Sequence, residues 1–318
     1  SFPTRRSSDL GFEAAGYQTA AAVELDKDCL KQLALTNWKV MGCDATQLHT
    51  DDLLSAAGLR IGEADVLIGG PPCQPFSKSG YWARGDAARL SDPRAGTLDA
   101  YLRILEATKP KAFLLENVPG LAFRKKSEGL EYILDFVREM NNRINTNYQP
   151  SVAIIDASDF GVPQNRQRTF IIASRNGEVF RFPTATHGSN CRFRKHTAWD
   201  VLGDFENIAV GDELKVTGKW ADLLPSIPEG QNYLWHTERN KDGGKPLFGW
   251  RRRYWNFLLK LAKDLPAWTL QAQPGSATGP FHWNNRKLSG RELCRLQTIP
   301  EKVTICADRH IAQKLVGN

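Results

Sequence analysis

From about Ala20 to Ala173 the chain alternates short apolar runs with amphipathic stretches, and this alternation limits the fold more than any other feature. The runs at 21–24, 65–68, 112–115, 152–155 and 169–174 read as strands, because buried strands are short and apolar. Helices are expected at 27–35, 98–107 and 128–140. Strands separated by helices pack as a sheet covered on both faces, so the fold class is α/β, doubly wound and mostly parallel. Ligands in that architecture bind beyond the carboxyl ends of the strands. Glu24, Cys73 and Glu116 all fall there.

A length of 318 residues suggests two domains, or one with a large insertion. From about residue 183 to 288 Gly, Pro, Trp and Asn become frequent and periodicity is lost. The exception is 250–265, where Tyr254, Phe257, Leu258, Leu261 and Leu265 share one face of an expected helix. This region reads as a second, smaller and irregular domain. After it, Ser289 with Glu292 three residues on looks like a capped helix start.

A formal charge of +7 suits a polyanionic partner, or simply a mildly basic surface. The six cysteines lack a paired spacing such as Cys-x-x-Cys, so they read as reduced thiols and no metal is expected. No apolar run approaches the ~20 residues of a membrane span, and no signal segment is visible. A cytoplasmic monomer with no membrane association is expected.

One cysteine is placed unusually. In Gly69-Gly70-Pro71-Pro72-Cys73-Gln74 it follows a strand end and two prolines, which fix φ and stiffen the turn. An ordinary thiol is mostly protonated at neutral pH, so a reactive one needs positive charge nearby. The alternative is an inert cysteine in a tight turn. Glu116, in Leu115-Glu116-Asn117-Val118-Pro119, ends the next strand; partial burial would raise its pKa and let it carry a proton. A turn-forming or helix-capping Glu-Asn pair is the plain reading. In Gln164-Asn165-Arg166-Gln167-Arg168, strand alternation puts Gln164, Arg166 and Arg168 on one face. Two guanidiniums there suit phosphate or carbonyl contact, or else a salt-bridged strand edge.

These three runs, in this order, resemble the catalytic motifs of the DNA cytosine-5 methyltransferase family, and the resemblance covers nearly the whole chain. It implies a Rossmann-like methyltransferase domain that uses S-adenosyl-L-methionine, with a smaller target-recognition domain. It makes Cys73 the nucleophile that attacks C6 of a flipped cytosine, Glu116 the partner of ring N3, and Arg166 and Arg168 groups around base and phosphate. Covalent attack splits one difficult step into two easier ones. Val23-Glu24-Leu25-Asp26 is similar to the second cofactor motif, and Gly42-Cys43-Asp44 to the third. The resemblance thus gives Phe12, Glu24, Leu25, Asp44, Pro72 and Asn318 to the cofactor, with Glu24 on ribose and Asp44 on the adenine amino group.

The same resemblance gives Gln74, Ser77, Ser79, Gln164 and Thr269 to double-stranded DNA. The stretch from 75 to about 98 would be a mobile catalytic lid. Residues 184–288 would read the DNA sequence, with Trp268-Thr269-Leu270 similar to the short signature found there. For Arg251, Arg252 and Arg253, core packing with phosphate contact is favoured over base contacts. The run 273–279 is a groove loop or a plain turn. Arg291-Glu292-Leu293-Cys294-Arg295-Leu296-Gln297 resembles the motif that organises the recognition domain, and Val316-Gly317-Asn318 the last motif.

The chain departs from the family at both ends. The first family motif, an Asp-x-Phe-x-Gly-x-Gly-Gly loop, has no counterpart before Gly11-Phe12; residues 1–10 instead resemble translated sequencing-adapter sequence. The last motif stops at Asn318. Weak S-adenosylmethionine binding is the expectation that follows. The expected division is a leader at 1–10, a catalytic domain at 11–183, a target-recognition domain at 184–288, and a segment at 289–318 returning to the catalytic domain. A cognate restriction endonuclease is the expected functional, not physical, partner. The alternatives are a tRNA cytosine-5 methyltransferase and a non-catalytic DNA-binding relic.

Overall fold

A computed structural model describes residues 7–71, 96–122, 128–303, 305 and 308–317. Cys73, Pro72, Gln74, Ser77, Ser79 and Asn318 lie outside the described residues. The chain divides into two compact units, one of residues 1–156 and 167–184, the other of 157–166 and 185–318.

The first unit follows the alternation. In order come helix α1 (Ser7–Ala14), strand β1 (Ala22–Glu24), α2 (Lys27–Leu33), β2 (Val40–Gly42), α3 (Thr50–Ala57) and β3 (Val66–Gly69). Then follow α4 (Gly96–Thr108), β4 (Ala112–Asn117), α5 (Glu128–Ile144), β5 (Ser151–Asp156) and, after an excursion, β7 (Gln167–Ser174). β1 pairs with β2 in parallel; β3, β4, β7 and β5 form a second sheet in that order. β3 and β4 are parallel, whereas β7 runs antiparallel to both β4 and β5. The antiparallel return follows from the connection: no crossover helix separates β5 from β7, and parallel pairing needs one.

The core lies where α4 and α5 cover the four-stranded sheet. Leu98, Tyr101, Leu102 and Leu105 recur at helical spacing and meet Phe113, Leu115, Ile133, Val137 and Ile171. The Tyr101 hydroxyl donates to the carbonyls of Leu67, 3.3 Å away, and Leu114, 3.1 Å away, and so pins α4 over the seam between β3 and β4. A side chain at Gly69 would run into the Tyr101 ring, so that strand must end in glycine.

Two expectations change here. Ser7 to Leu10, placed with the leader, form the first turn of α1, where Asp9 is buried. The last residues of the expected lid, from Gly96, belong to α4.

The second unit has little regular structure: β6 (Gln164–Asn165), α6 (Ala198–Leu202), β8 (Ala267–Trp268), α7 (Gly290–Leu296) and α8 (Arg309–Gly317), joined by single-turn 3-10 segments. The helix expected at 250–265 does not form. Arg251 and Leu258 adopt positive φ, and the backbone of this stretch bonds elsewhere: Leu258 N–H to Ala277, Leu261 N–H to Phe281, Lys260 N–H to Gln231. Leu258 and Leu261 are buried as the periodicity required, yet Tyr254 is 81% exposed. The amphipathic spacing was real, but tertiary bonding overrode it.

Segment 289–318, expected to return to the first domain, groups with the second unit. Leu293, Leu296 and Val316 share a core with Ala198, Leu202, Leu261 and Trp283. The Ser289–Glu292 capping box is present on α7. Glu292 also makes a bidentate pair with Arg286, both bonds 2.8 Å, with both side chains buried. Among the described residues, no helix is long and apolar enough to cross a membrane.

Candidate active site

Strand register brings two of the catalytic candidates, Glu116 and Arg168, together in the first unit. Glu116 lies opposite Phe170 across the β4–β7 pair. Arg168 is two residues along β7, so it projects from the same face as Phe170 and reaches Glu116 diagonally. The Arg168 Nε to Glu116 Oε1 distance is 2.7 Å, with both side chains mostly shielded from water. The arginine thereby holds the carboxylate at the carboxyl end of β4 in one orientation.

The neighbouring asparagine does a job that sequence reasoning missed. Asn117 is buried; its Oδ1 accepts from Val118 N–H at 2.8 Å and its Nδ2 donates to the Pro71 carbonyl at 3.3 Å. Gly69 pairs with Leu115, so Pro71 leaves β3 level with Asn117. The asparagine therefore ties the chain two residues before Cys73 to the strand end that carries Glu116. The signal was there in Leu115-Glu116-Asn117-Val118, where the pair read as turn-forming. The Val118 bond is such a turn; the bond to Pro71 crosses from strand to strand and has no local signature.

The other cysteines supply a contrast. Burial pushes the Cys294 thiol up to about 11. Burial, then the carboxylates of Asp44 and Asp52, raises Cys43. Neither carries a useful thiolate fraction near neutral pH.

The cofactor candidates sit at the carboxyl ends of β1 and β2. Glu24 is 4% exposed, and its Oε1 accepts from the backbone N–H groups of Leu25 and Asp26, each at 2.7 Å. Asp44, just past β2, accepts from Thr46 N–H at 2.9 Å. Leu25 is exposed, and Phe12 on α1 packs edge-to-face on Tyr17. Two fixed carboxylates beyond neighbouring parallel strands fit a nucleoside, one able to take ribose hydroxyls and one an amino group.

In the second unit Gln164 is fully buried. Its Nε2 donates to the Leu296 carbonyl at 3.2 Å and its Oε1 accepts from Leu270 N–H at 3.4 Å. The side chain expected on DNA is thus committed to bracing the end of α7 and the chain just after β8. Thr269 Oγ1 donates to Asn165 O at 2.6 Å, beside the β6–β8 pair. The single face expected for Gln164, Arg166 and Arg168 is interrupted: β6 ends at Asn165 and β7 starts at Gln167. Arg166 belongs to the second unit and Arg168 to the first.

Arg251, Arg252 and Arg253 are exposed, with Arg251 against Trp250 and Arg253 against Phe257. Trp255, 54% exposed, meets Trp268 edge-to-face. The run 273–279 contains a turn closed by Thr278 N–H on Gly275 O, and its end is held at Asn256 through Gly279 N–H.

Over residues 7–318 the chain matches the family of C-5 cytosine-specific DNA methylases. It is 35% identical over 322 residues to the type II methyltransferase M.SacI of Streptomyces achromogenes, across 95% of this chain and 80% of that one. With M1.HphI of Haemophilus parahaemolyticus the identity is 28% over 322 residues, covering 97% and 79%. Among solved structures, a prophage-encoded DNA modification methyltransferase of E. coli superposes with a TM-score of 0.63 at 19% identity, covering 97% of this chain and 90% of that one. At that identity the likeness speaks to the fold alone.

Proposed function

Because the chain belongs to the C-5 cytosine-specific DNA methylase family, and is an enzyme of the type II DNA methyltransferase kind, we propose that Cys73 is its nucleophile and Glu116 the partner of cytosine N3. The observation that carries this reading is the Glu116–Arg168 ion pair, set on the strand end to which Asn117 ties Pro71.

In this reading the target cytosine leaves the duplex, since a stacked base is out of reach of a part-buried carboxyl group at a strand end. The Cys73 thiolate forms a bond to C6, and the ring electrons move towards C5, which becomes nucleophilic. Glu116, steadied by Arg168, holds the proton at N3 that makes C6 electrophilic. After methylation a base removes the C5 proton, the C6–S bond breaks, and the thiolate is regenerated. S-adenosyl-L-methionine, when bound, supplies an electrophilic methyl group on its sulfonium. Glu24 and Asp44 would hold its nucleoside half; Leu25 and Phe12 would border it, with Pro72 and Asn318 as further candidates.

The substrate is double-stranded DNA at a specific sequence, read by 184–288, with Arg251, Arg252 and Arg253 on phosphates and Thr269 near the target. Gln74, Ser77, Ser79 and Arg166 complete the proposed DNA contacts. We place the enzyme in the bacterial cytoplasm as a monomer, beside a restriction endonuclease that cuts the unmodified sequence. The test is product analysis after incubation with S-adenosylmethionine and either duplex DNA or tRNA. 5-Methylcytosine in DNA supports the proposal. Its appearance only in tRNA moves the substrate, and its absence from both favours a DNA-binding relic.

A further inference from the structure

Past β2 the chain turns sharply through Asp44 to Leu48. Gln47 N–H donates to Asp44 O at 3.0 Å and Leu48 N–H to Ala45 O at 3.4 Å, while the Asp44 carboxylate accepts from Thr46 N–H. All these bonds close within the turn, so alone they leave its tilt against the sheet unset. Two further contacts set it, both from α4. Ala45 and Leu48 are buried against Ala100 and Ile104, in a cluster that also holds Val23, the residue before Glu24.

Arg103, beside Ala100 and Ile104 on the helix, makes the second contact. One of its guanidinium nitrogens donates to Leu48 O at 2.8 Å and the other to Ala45 O at 2.9 Å. A guanidinium is planar and rigid, so two acceptors on one fork are held in a fixed relation, and its charge strengthens each bond. The apolar contacts keep the turn on α4 but permit it to roll; the fork removes that freedom. Since Tyr101 pins α4 over the β3–β4 seam, Arg103 ties the turn that carries Asp44 to the sheet.

We propose that Arg103 is a positioning residue for cofactor recognition: by clamping Ala45 O and Leu48 O it aims the Asp44 carboxylate, and so sets the preference for a purine bearing an amino group over one bearing a carbonyl oxygen. The inference rests on the reading of Asp44 as the partner of the adenine amino group. A carboxylate accepts from an amino group and repels a carbonyl oxygen, so the preference depends on where its oxygens point. A carboxylate on a rolling turn still attracts the amino group but can swing away from the carbonyl, and discrimination falls further than affinity.

The probes are S-adenosyl-L-homocysteine and S-inosyl-L-homocysteine, titrated separately into the full chain and followed by ligand NMR, which reads weak as well as tight binding. The parent is expected to prefer the adenosyl compound by at least about tenfold, and Arg103→Ala to reduce that ratio below about threefold. Without ligand, the Thr46 amide should exchange at least about tenfold faster in Arg103→Ala, with an unchanged circular dichroism spectrum. Arg103→Lys, which keeps the charge but not the fork, should fall between the two in ratio. Asp44→Ala separates the two claims. If it erases the preference while Arg103→Ala keeps it, or if Arg103→Ala weakens both ligands equally, the role of Arg103 is overturned and the reading of Asp44 stands. A preference that survives Asp44→Ala, or none in the parent, overturns the reading of Asp44 and the inference with it.

Discussion

The two units hold their functional side chains in place by different means. In the first, strand register does most of it: Glu116 and Arg168 meet because β4 and β7 pair residue by residue. In the second, regular hydrogen bonding is sparse and buried polar side chains replace it. Gln164 braces Leu296 and Leu270, Asn232 bonds Trp255 O and Leu234 N–H, Gln297 bonds Val316 O, and Gln313 bonds Gln271 O. A ladder shares its load over many bonds, whereas a brace concentrates it in one residue. Single substitutions should therefore cost more in the second unit, at positions with no local pattern to mark them.

The largest effect is expected at the Arg286–Glu292 pair. Arg286→Ala leaves a buried carboxylate unpaired and should cost about 3–5 kcal/mol in urea unfolding; a loss below about 1 kcal/mol would remove the contrast between the units. Gly69→Ala comes next, at about 1–3 kcal/mol from overpacking against Tyr101. It should also slow methylation, because Gly69 lies four residues before Cys73. Asn117→Ala should cost about 1 kcal/mol of stability but reduce the methylation rate more than that loss explains, since it frees the Pro71 carbonyl. Equal rates for this variant and the parent would show that the tether is dispensable.

A smaller effect depends on pH. His282 is fully buried; burial, and then the Arg286 charge, pushes its imidazole down to about 4, in the company of Glu292, Glu206 and Lys263. Unfolded, it takes a proton near its ordinary value of about 6.5. Between these values the unfolded chain binds the extra proton, so stability falls as pH drops from about 6.5 towards 4, by at most about 1.4 kcal/mol per pH unit. Urea midpoints across this range should show the slope, and His282→Asn should flatten it. The smallest effect is expected at the exposed arginines. Arg252→Ala should change stability by less than about 0.5 kcal/mol, while lowering the salt dependence of DNA binding.

The same contrast explains how much was legible in the sequence. Strands 112–115 and 169–174 and their flanking helices were readable from periodicity, with boundaries off by a few residues, and the strand-end positions of Glu24 and Glu116 came with them. The antiparallel direction of β7 was not, because it depends on what joins it to β5. In the second unit the amphipathic spacing at 250–265 marked Leu258 and Leu261 as buried but misplaced Tyr254 and Leu265, which are exposed, and gave the wrong backbone, since three separate segments supply its hydrogen bonds. Gln164 read as a surface residue beside two arginines and is a buried brace, because its partners Leu270 and Leu296 lie more than a hundred residues away.

The central claim is that the strand-end carboxylate and its arginine serve a nucleophile at Cys73. Incubation with S-adenosylmethionine and duplex DNA containing 5-fluorocytosine tests it directly, because fluorine at C5 cannot leave as the proton does and the C6–S bond stays closed. The account predicts a denaturant-resistant adduct that peptide mapping places on Cys73, absent in Cys73→Ser and formed more slowly in Arg168→Ala. An adduct on Cys43 or Cys294, or one that persists in Cys73→Ser, would contradict it.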